Sequence, residues 1–212
     1  KIMANVSDVK SKLFKAVAAD PNGICLAQTA SGAADLTLNG AQVSGGVAED
    51  GSNMASTVTI TSAGSDESGD TFEVVGTDAN GDAQTESSIT GPGASATVTT
   101  SAAFLTVTGV SVGSALTGNV TVGFTATSTT TGIIFAGRTR VRGCHGVSDS
   151  GTAGALIVRN TSQSGTKVME IDAPAAAGTI EPFIPDNGVL CTAGAYIDIS
   201  TGYDSVTMFY DG

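Results

Sequence analysis

The sequence predicts an all-β protein, an antiparallel β-sandwich domain followed by a second small module of β-sandwich or jelly-roll-like type. Three observations carry that expectation. Apolar and hydroxyl residues alternate with a period of two over long stretches, as in Val58-Thr59-Ile60-Thr61, the signature of a half-buried strand. Clusters of Gly, Asn, Asp and Ser interrupt these runs at roughly ten-residue intervals, the rhythm of hairpin turns in a sandwich. Aromatics are only 5% of the 212 residues and Trp is absent. The core must therefore come from Val, Ile, Ala and Thr, whose branched side chains suit a pleated surface.

One segment departs from this pattern. In "NVSDVKSKLFKAVAA", Val6, Val9, Leu13, Phe14 and Val17 recur at helical spacing with lysines between them. Ser7 or Asn5 can cap the start and Asp20-Pro21-Asn22-Gly23 can stop it. Residues 1–23 are thus expected to be a short amphipathic helical arm. It would dock on its own domain, an oligomer mate or a partner, rather than on a membrane.

Residues 24–127 read as the first β domain. "STVTITSAG" sets Val58 and Ile60 on one face against Thr57, Thr59 and Thr61 on the other. "TFEVVGTDANGDAQTESSIT" reads as two strands around a turn, and "ATVTTSAAFLTVTGVSV" and "GNVTVGFTATS" repeat the alternation. The hydroxyl-rich "TSTTTG" at 127–132 reads as a linker. Residues 128–212 then hold at least five further strand-like runs, among them "GALIVRNTS", "TKVMEIDA" and "SVTMFY".

Charge is scarce and uneven. Charged residues make up 14% of the chain, where roughly 25% is usual. Residues 1–15 hold four Lys and one Asp, whereas residues 16–137 hold eleven acids and no Lys or Arg. A lysine-free region of that size does not fit nucleic acid, which demands cations. It suits a basic partner surface or plain solvation. The three cysteines, Cys25, Cys144 and Cys191, are too few for a disulfide scaffold, and free buried thiols formed in a reducing cytoplasm are expected. A pairing of Cys144 with Cys191 stays open. Residues 1–19 lack the continuous apolar core of a secretory leader, and no run approaches the ~18 apolar residues of a membrane span.

Candidate chemistry is thin. "GTDANGDAQTE" at 76–86 places Asp78, Asn80 and Asp82 at the first three ligand spacings of a calcium loop. Yet Gly81 precedes Asp82 instead of following it, and the twelfth position is Ile89 rather than an acid. The stretch is read as a hairpin with Asn80-Gly81 as a two-residue turn. No cofactor is expected; a calcium site on Asp78, Asn80 and Asp82, shared with another chain, is the alternative. Arg138, Arg140 and Arg142 in "RTRVRG" would line one face of a strand and could meet an acidic neighbour. Cys144 and His145 are adjacent and would point to opposite faces, which argues against a catalytic dyad. With one His in the chain a His-rich zinc site is excluded, and an enzyme is not expected.

The stretch "VTITSAGSDESGDTFEVVGTDANGDAQTESSITGPGASATVTTSAAFLTVTGVSV" resembles a β-rich module of tailed-bacteriophage virion proteins. The shared wording is V-T-I-T-S-A-G, then G-T-D-x-x-G-x-x-x-x-E, then G-P-x-A, over roughly residues 57–122. The C-terminal "GVLCTAGAYIDISTGYDSVTMFY" looks more weakly like β modules of small phage structural proteins. The resemblance implies a non-enzymatic virion component assembled in the host cytoplasm. The expected role is decoration or cementing of the capsid, as a homotrimer or other homo-oligomer against the major capsid protein. Val9, Leu13, Phe14, Arg138, Arg140 and Arg142 are the expected contact residues. A tail fibre or knob binding a host-surface glycan or receptor through the loops "CHGVSDSGTAG" or "EPFIPDNG" is the alternative, with Tyr196, Tyr203 and Tyr210 in the same module, and a secreted bacterial surface or filament subunit is a third.

Overall fold

The structure, a computed structural model, describes residues 9–127, 130–149, 151–185 and 187–211. These residues form strands, bridges and turns without a helix, so the all-β expectation holds. In chain order the first strands are β1 (Val9–Lys15), β2 (Asp20–Gln28), β3 (Ala34–Asp35), β4 (Val43–Ser44), β5 (Val47–Ala48) and β6 (Ser56–Ser62). Next come β7 (Thr71–Thr77), β8 (Ala83–Thr90), β9 (Thr97–Phe104), β10 (Thr106–Val112) and β11 (Val120–Phe124). The remainder are β12 (Thr130–Phe135), β13 (Thr139–Ser148), β14 (Gly154–Asn160), β15 (Thr166–Ala173), β16 (Gly178–Ile180), β17 (Val189–Cys191), β18 (Ala195–Ile199) and β19 (Tyr203–Asp211).

The chain divides into two compact units, Val17–Thr127 and Lys1–Ala16 with Ser128–Gly212. The first holds two antiparallel sheets, in the orders β4-β5-β10-β7-β8, with β3 also on β10, and β2-β11-β6-β9. One core draws on both: Val58, Ile60, Val122 and Phe124 from one sheet meet Phe72, Val74, Val107 and Val110 from the other. That is the sandwich arrangement. Along β6 the alternation is complete, with Ser56, Val58, Ile60 and Ser62 buried and Thr57, Thr59 and Thr61 only partly so. The outward threonines pair across strands, Thr57 with Thr125 at 3.0 Å, Thr61 with Thr97 at 2.8 Å and Thr77 with Thr106 at 2.8 Å. Hydroxyl ladders of this kind support the sheet where charge is scarce. At the β7–β10 bulge a Cβ on Gly76 would overlap the Thr106 carbonyl, so only glycine lets the strands close there.

The second unit also has two antiparallel sheets, β1-β19-β13-β16, with β17 also on β13, and β12-β18-β14-β15. Its buried residues alternate along β19 as Val206, Met208 and Tyr210, and run almost continuously along β18 as Ala195, Tyr196, Ile197 and Ile199. Phe135 and Tyr210 pack with ring centroids 5.8 Å apart.

The expected N-terminal helix is corrected by this fold. Residues 1–8 lie outside the described residues, but Val9–Lys15 is a strand whose seven residues pair with β19 without a register shift. Phe14, opposite Val206, is fully buried, whereas Val9 and Leu13 are 49% and 43% exposed on the other face. The ammonium of Lys12, opposite Met208, donates to the Ile133 carbonyl at 2.8 Å and lies 5.6 Å from the Phe14 ring centroid. A segment this short gains little from helix formation alone. Against the edge of β19 its backbone gains a ladder of hydrogen bonds at alternate residues, and period two overrides the helical spacing.

Candidate functional site

The acidic loop comes first, because its residues looked most like a ligand set. Strands β7 and β8 do form a hairpin, but Thr77 pairs with Ala83, so the connection is the five residues 78–82 rather than two. Asp78 organises it. Its Oδ1 accepts from the backbone N–H of Asn80 at 2.7 Å and of Asp82 at 3.0 Å, and its Oδ2 accepts from the Asn80 amide at 2.9 Å. Gly81, at φ 84°, supplies the left-handed step and donates to the Asp78 carbonyl. The carboxylate thus acts as an Asx cap, which explains why five residues were needed. Replacing Asp78 by alanine should lower the midpoint of chemical unfolding by the equivalent of about 1 kcal/mol, with Asp82→Ala nearly silent. Added calcium should leave thermal melting unmoved. Among the described residues no group of three or more His, Cys, Asp or Glu is arranged to hold a metal ion.

A more deeply built acidic position lies nearby in sequence. Glu67 is fully buried in the first unit. Its carboxylate accepts from Thr117 N–H at 2.9 Å, Thr117 Oγ1 at 2.8 Å and Gly118 N–H at 2.7 Å. Burial opposes its ionisation, but these bonds, with a side-chain bond to Asp70, outweigh burial and hold its pKa below the ordinary carboxylate value. Two further acids do similar work. Asp50 accepts from Ser52 N–H and from the hydroxyls of Ser56 and Thr127. Glu86 on β8 accepts from Ser101 and Ala102 N–H on β9, tying together the edges of the two sheets. These acids hold loops and edges in place.

The three arginines do not form one row. Arg138 is exposed in the bend before β13. Arg140 donates to the Asn187 carbonyl at 3.2 Å. Arg142, at a bulge in the β13–β19 register, clamps Asp211 with Nε at 2.8 and 2.9 Å and Nη2 at 2.7 Å. Of the N-terminal candidates, Val9 and Leu13 face outward beside Phe209, which is 37% exposed, while Phe14 belongs to the core.

Cys144 is buried and the neighbouring His145 ring instead meets Glu181, 2.8 Å away. All three cysteines are free and buried, and burial pushes the thiols up, Cys25 to about 12 and Cys144 to about 11. The thiolate is the reactive form, so Ellman's reagent at pH 8 should titrate no thiol in the folded protein and three in denaturant. Tyr196, Tyr203 and Tyr210 are core residues. Tyr203 donates to the Ile171 carbonyl at 3.0 Å, and burial raises its phenol to about 12.

The loop "EPFIPDNG", a candidate binding loop of the fibre or knob alternative, carries Phe183, which is 89% exposed. Strands β16 and β17 both pair with β13, at Gly146–Ser148 and Thr139–Val141. The intervening "EPFIPDNG" leaves that strand edge because Pro182 and Pro185 have no N–H to give a ladder. Both ends of the loop are anchored, by His145 with Glu181 and by Arg140 on Asn187, and Gly188 N–H closes a turn onto the Pro185 carbonyl at 2.9 Å. The two prolines were the available signal.

No protein-family model, curated protein or solved structure matches this chain.

Proposed function

We propose that this protein is a non-enzymatic structural component of a tailed-phage virion, decorating or cementing the head through contacts between subunits. The observation that carries the reading is how the acids are used. Glu67, Asp50, Asp78 and Glu86 accept bonds from backbone amides and hydroxyls that pin loops to sheets, while exposed apolar side chains sit on strands and on the Phe183 loop. Rigid sheets would supply the body. Val9, Leu13, Phe209 and Phe183 would supply contact area, repeated over many symmetric copies. The phage-like wording of residues 57–122 directs the proposal to a virion.

The test is to tag the full-length protein, purify particles, and both count and image it. Hundreds of copies spread over the head support decoration. A few to dozens at the tail would replace it with the fibre or knob reading, and absence from particles would overturn both.

A further inference from the structure

We propose that Glu73 receives a guanidinium group, an arginine side chain that a basic protein partner places in a recess on the Val17–Thr127 unit. In that unit every other acid that folding covers has a structural task. Glu67, Asp50, Asp78 and Glu86 hold loops and edges as described above. Asp20 accepts from Asn22 N–H, and Asp70 accepts from the Ser114 hydroxyl. Glu73 is half-buried too, yet it accepts no hydrogen bond and meets no cation among the described residues. It projects from β7, between β10 and β8, where Glu is a poor strand former and a covered, unpaired carboxylate is a cost.

The strands on either side of Glu73 bring hydroxyls to it. Ser111 of β10 lies directly opposite, and on the other side the β7–β8 register slips between Phe72 and Val74. That slip sets Ser87 and Ser88 against Glu73, with Ser88 at φ 59°, a left-handed conformation unfavourable for a residue with a side chain. The result is an open recess of about 270 Å³ lined by Glu73, Ser87, Ser88, Ser111 and Thr71 among others. Elsewhere in the unit Thr57, Thr61 and Thr77 pair their hydroxyls across strands. Here the four hydroxyls bond no neighbour among the described residues, so they and the carboxylate all face a ligand unspent.

The donor and acceptor balance selects the occupant. An ionised carboxylate only accepts, and hydroxyl oxygens beside it accept as well, so the ligand must be rich in donors. The unit holds no Lys or Arg, and the charged side chains flanking the recess in sequence are Asp70 before β7 and Glu86 on β8. The countercharge therefore comes from outside the unit. A single carboxylate does not supply the oxygen cage that calcium demands, and no group of three acids stands there among the described residues. A guanidinium matches: its planar fork gives a carboxylate two parallel bonds and keeps further N–H groups for hydroxyls on either side. This deepens the cementing role proposed above, on which it rests only for where the basic partner lies.

The test titrates the full-length protein with acetyl-arginine methylamide and follows its backbone amides by NMR. Saturable shifts should centre on Glu73, Ser87, Ser88 and Ser111. Glu73→Gln should weaken binding by about tenfold or more, the scale of one charge-assisted hydrogen bond. Asp82→Asn, which removes an exposed acid at the hairpin turn, should leave binding unchanged. The citrulline analogue, alike in shape but uncharged, should not bind, and the lysine analogue should bind more weakly. Both substitutions are nearly isosteric, and unchanged amide spectra away from the recess report an intact fold. No saturable shift, equal binding of the citrulline or lysine analogue, or an E73Q variant that binds like the wild type would overturn the site. So would D82N weakening binding as much as E73Q, since only diffuse attraction to an acidic surface would then remain. Arginine binding at Glu73 by a protein absent from particles would keep the site and remove the virion reading. Abundant protein on particles without an arginine site would do the reverse.

Discussion

Replacing Glu67 by alanine should destabilise the Val17–Thr127 unit by roughly 2–3 kcal/mol, the scale of hydrogen bonds made to a charged group. Three donors converge on this side chain from one stretch of chain, Thr117 N–H, Thr117 Oγ1 and Gly118 N–H. Alanine would remove the acceptor that all three share, a side chain that is itself fully buried, while Thr117 is exposed and Gly118 half-buried, so water can take over part of the bonding. Glu67→Gln should be milder but still costly, because one carboxylate oxygen becomes an NH₂ facing donors. The backbone makes the position harder to relax: Glu67 N–H donates to the Pro92 carbonyl, and a Cβ on Gly91 would collide with the Glu67 carbonyl. The pH dependence follows from the sign of the shift. Glu67 is held below its ordinary value, so the folded state binds its proton less readily than the unfolded state. Its contribution is fully present above the unfolded carboxylate value, near pH 4.3, and is lost as pH falls through the lowered folded value. Thermal melting of the wild type should therefore drop steeply below about pH 4.3, with a shallower acid limb in E67Q. Equal slopes would show that other carboxylates carry the acid response.

Much of this fold is written in local patterning, and what escaped is tertiary. Val58 and Ile60 against Thr57, Thr59 and Thr61 declared their faces, since the period of two is a property of the strand itself. The run "SAAFLTVTG" gave no warning that β9 and β10 belong to different sheets with only Leu105 between them. A continuous alternating stretch looks the same whether or not the chain changes sheet. Glu67 sits in "SDESGD", which reads as a solvated acidic run, and only the Thr117–Gly118 loop some fifty residues later makes it a buried anchor. Around Asp78 the hairpin was legible, but not that its turn has five residues or that the Asp78 carboxylate organises it. The exposure of Phe183 was hidden because it is decided by what the neighbouring strands leave uncovered.

The N-terminal strand offers the sharpest separation of pattern from structure, and substituting its apolar residues one at a time should expose it. Phe14→Ala should cost about 3–5 kcal/mol and release β1 from β19. Val9→Ala and Leu13→Ala should each stay within about 1 kcal/mol of wild type. On a helix these three side chains would share one face, and their truncations would cost similar amounts. On the strand, Leu13 and Phe14 point to opposite sides, and only Phe14, opposite Val206 and beside the Lys12 stem, is sealed from solvent. Its loss leaves a cavity at the sheet's edge, where β1 is held by one neighbour. Hydrogen exchange gives the site-specific readout. In F14A the β1 amides should lose protection together with the β19 amides that face them, while β14 and β15, in the other sheet of that unit, stay protected at mild denaturant. Comparable losses from V9A, L13A and F14A would reject the strand pairing. The expected asymmetry would leave Val9 and Leu13 as surface residues whose conservative replacement alters contacts between molecules without disturbing the fold.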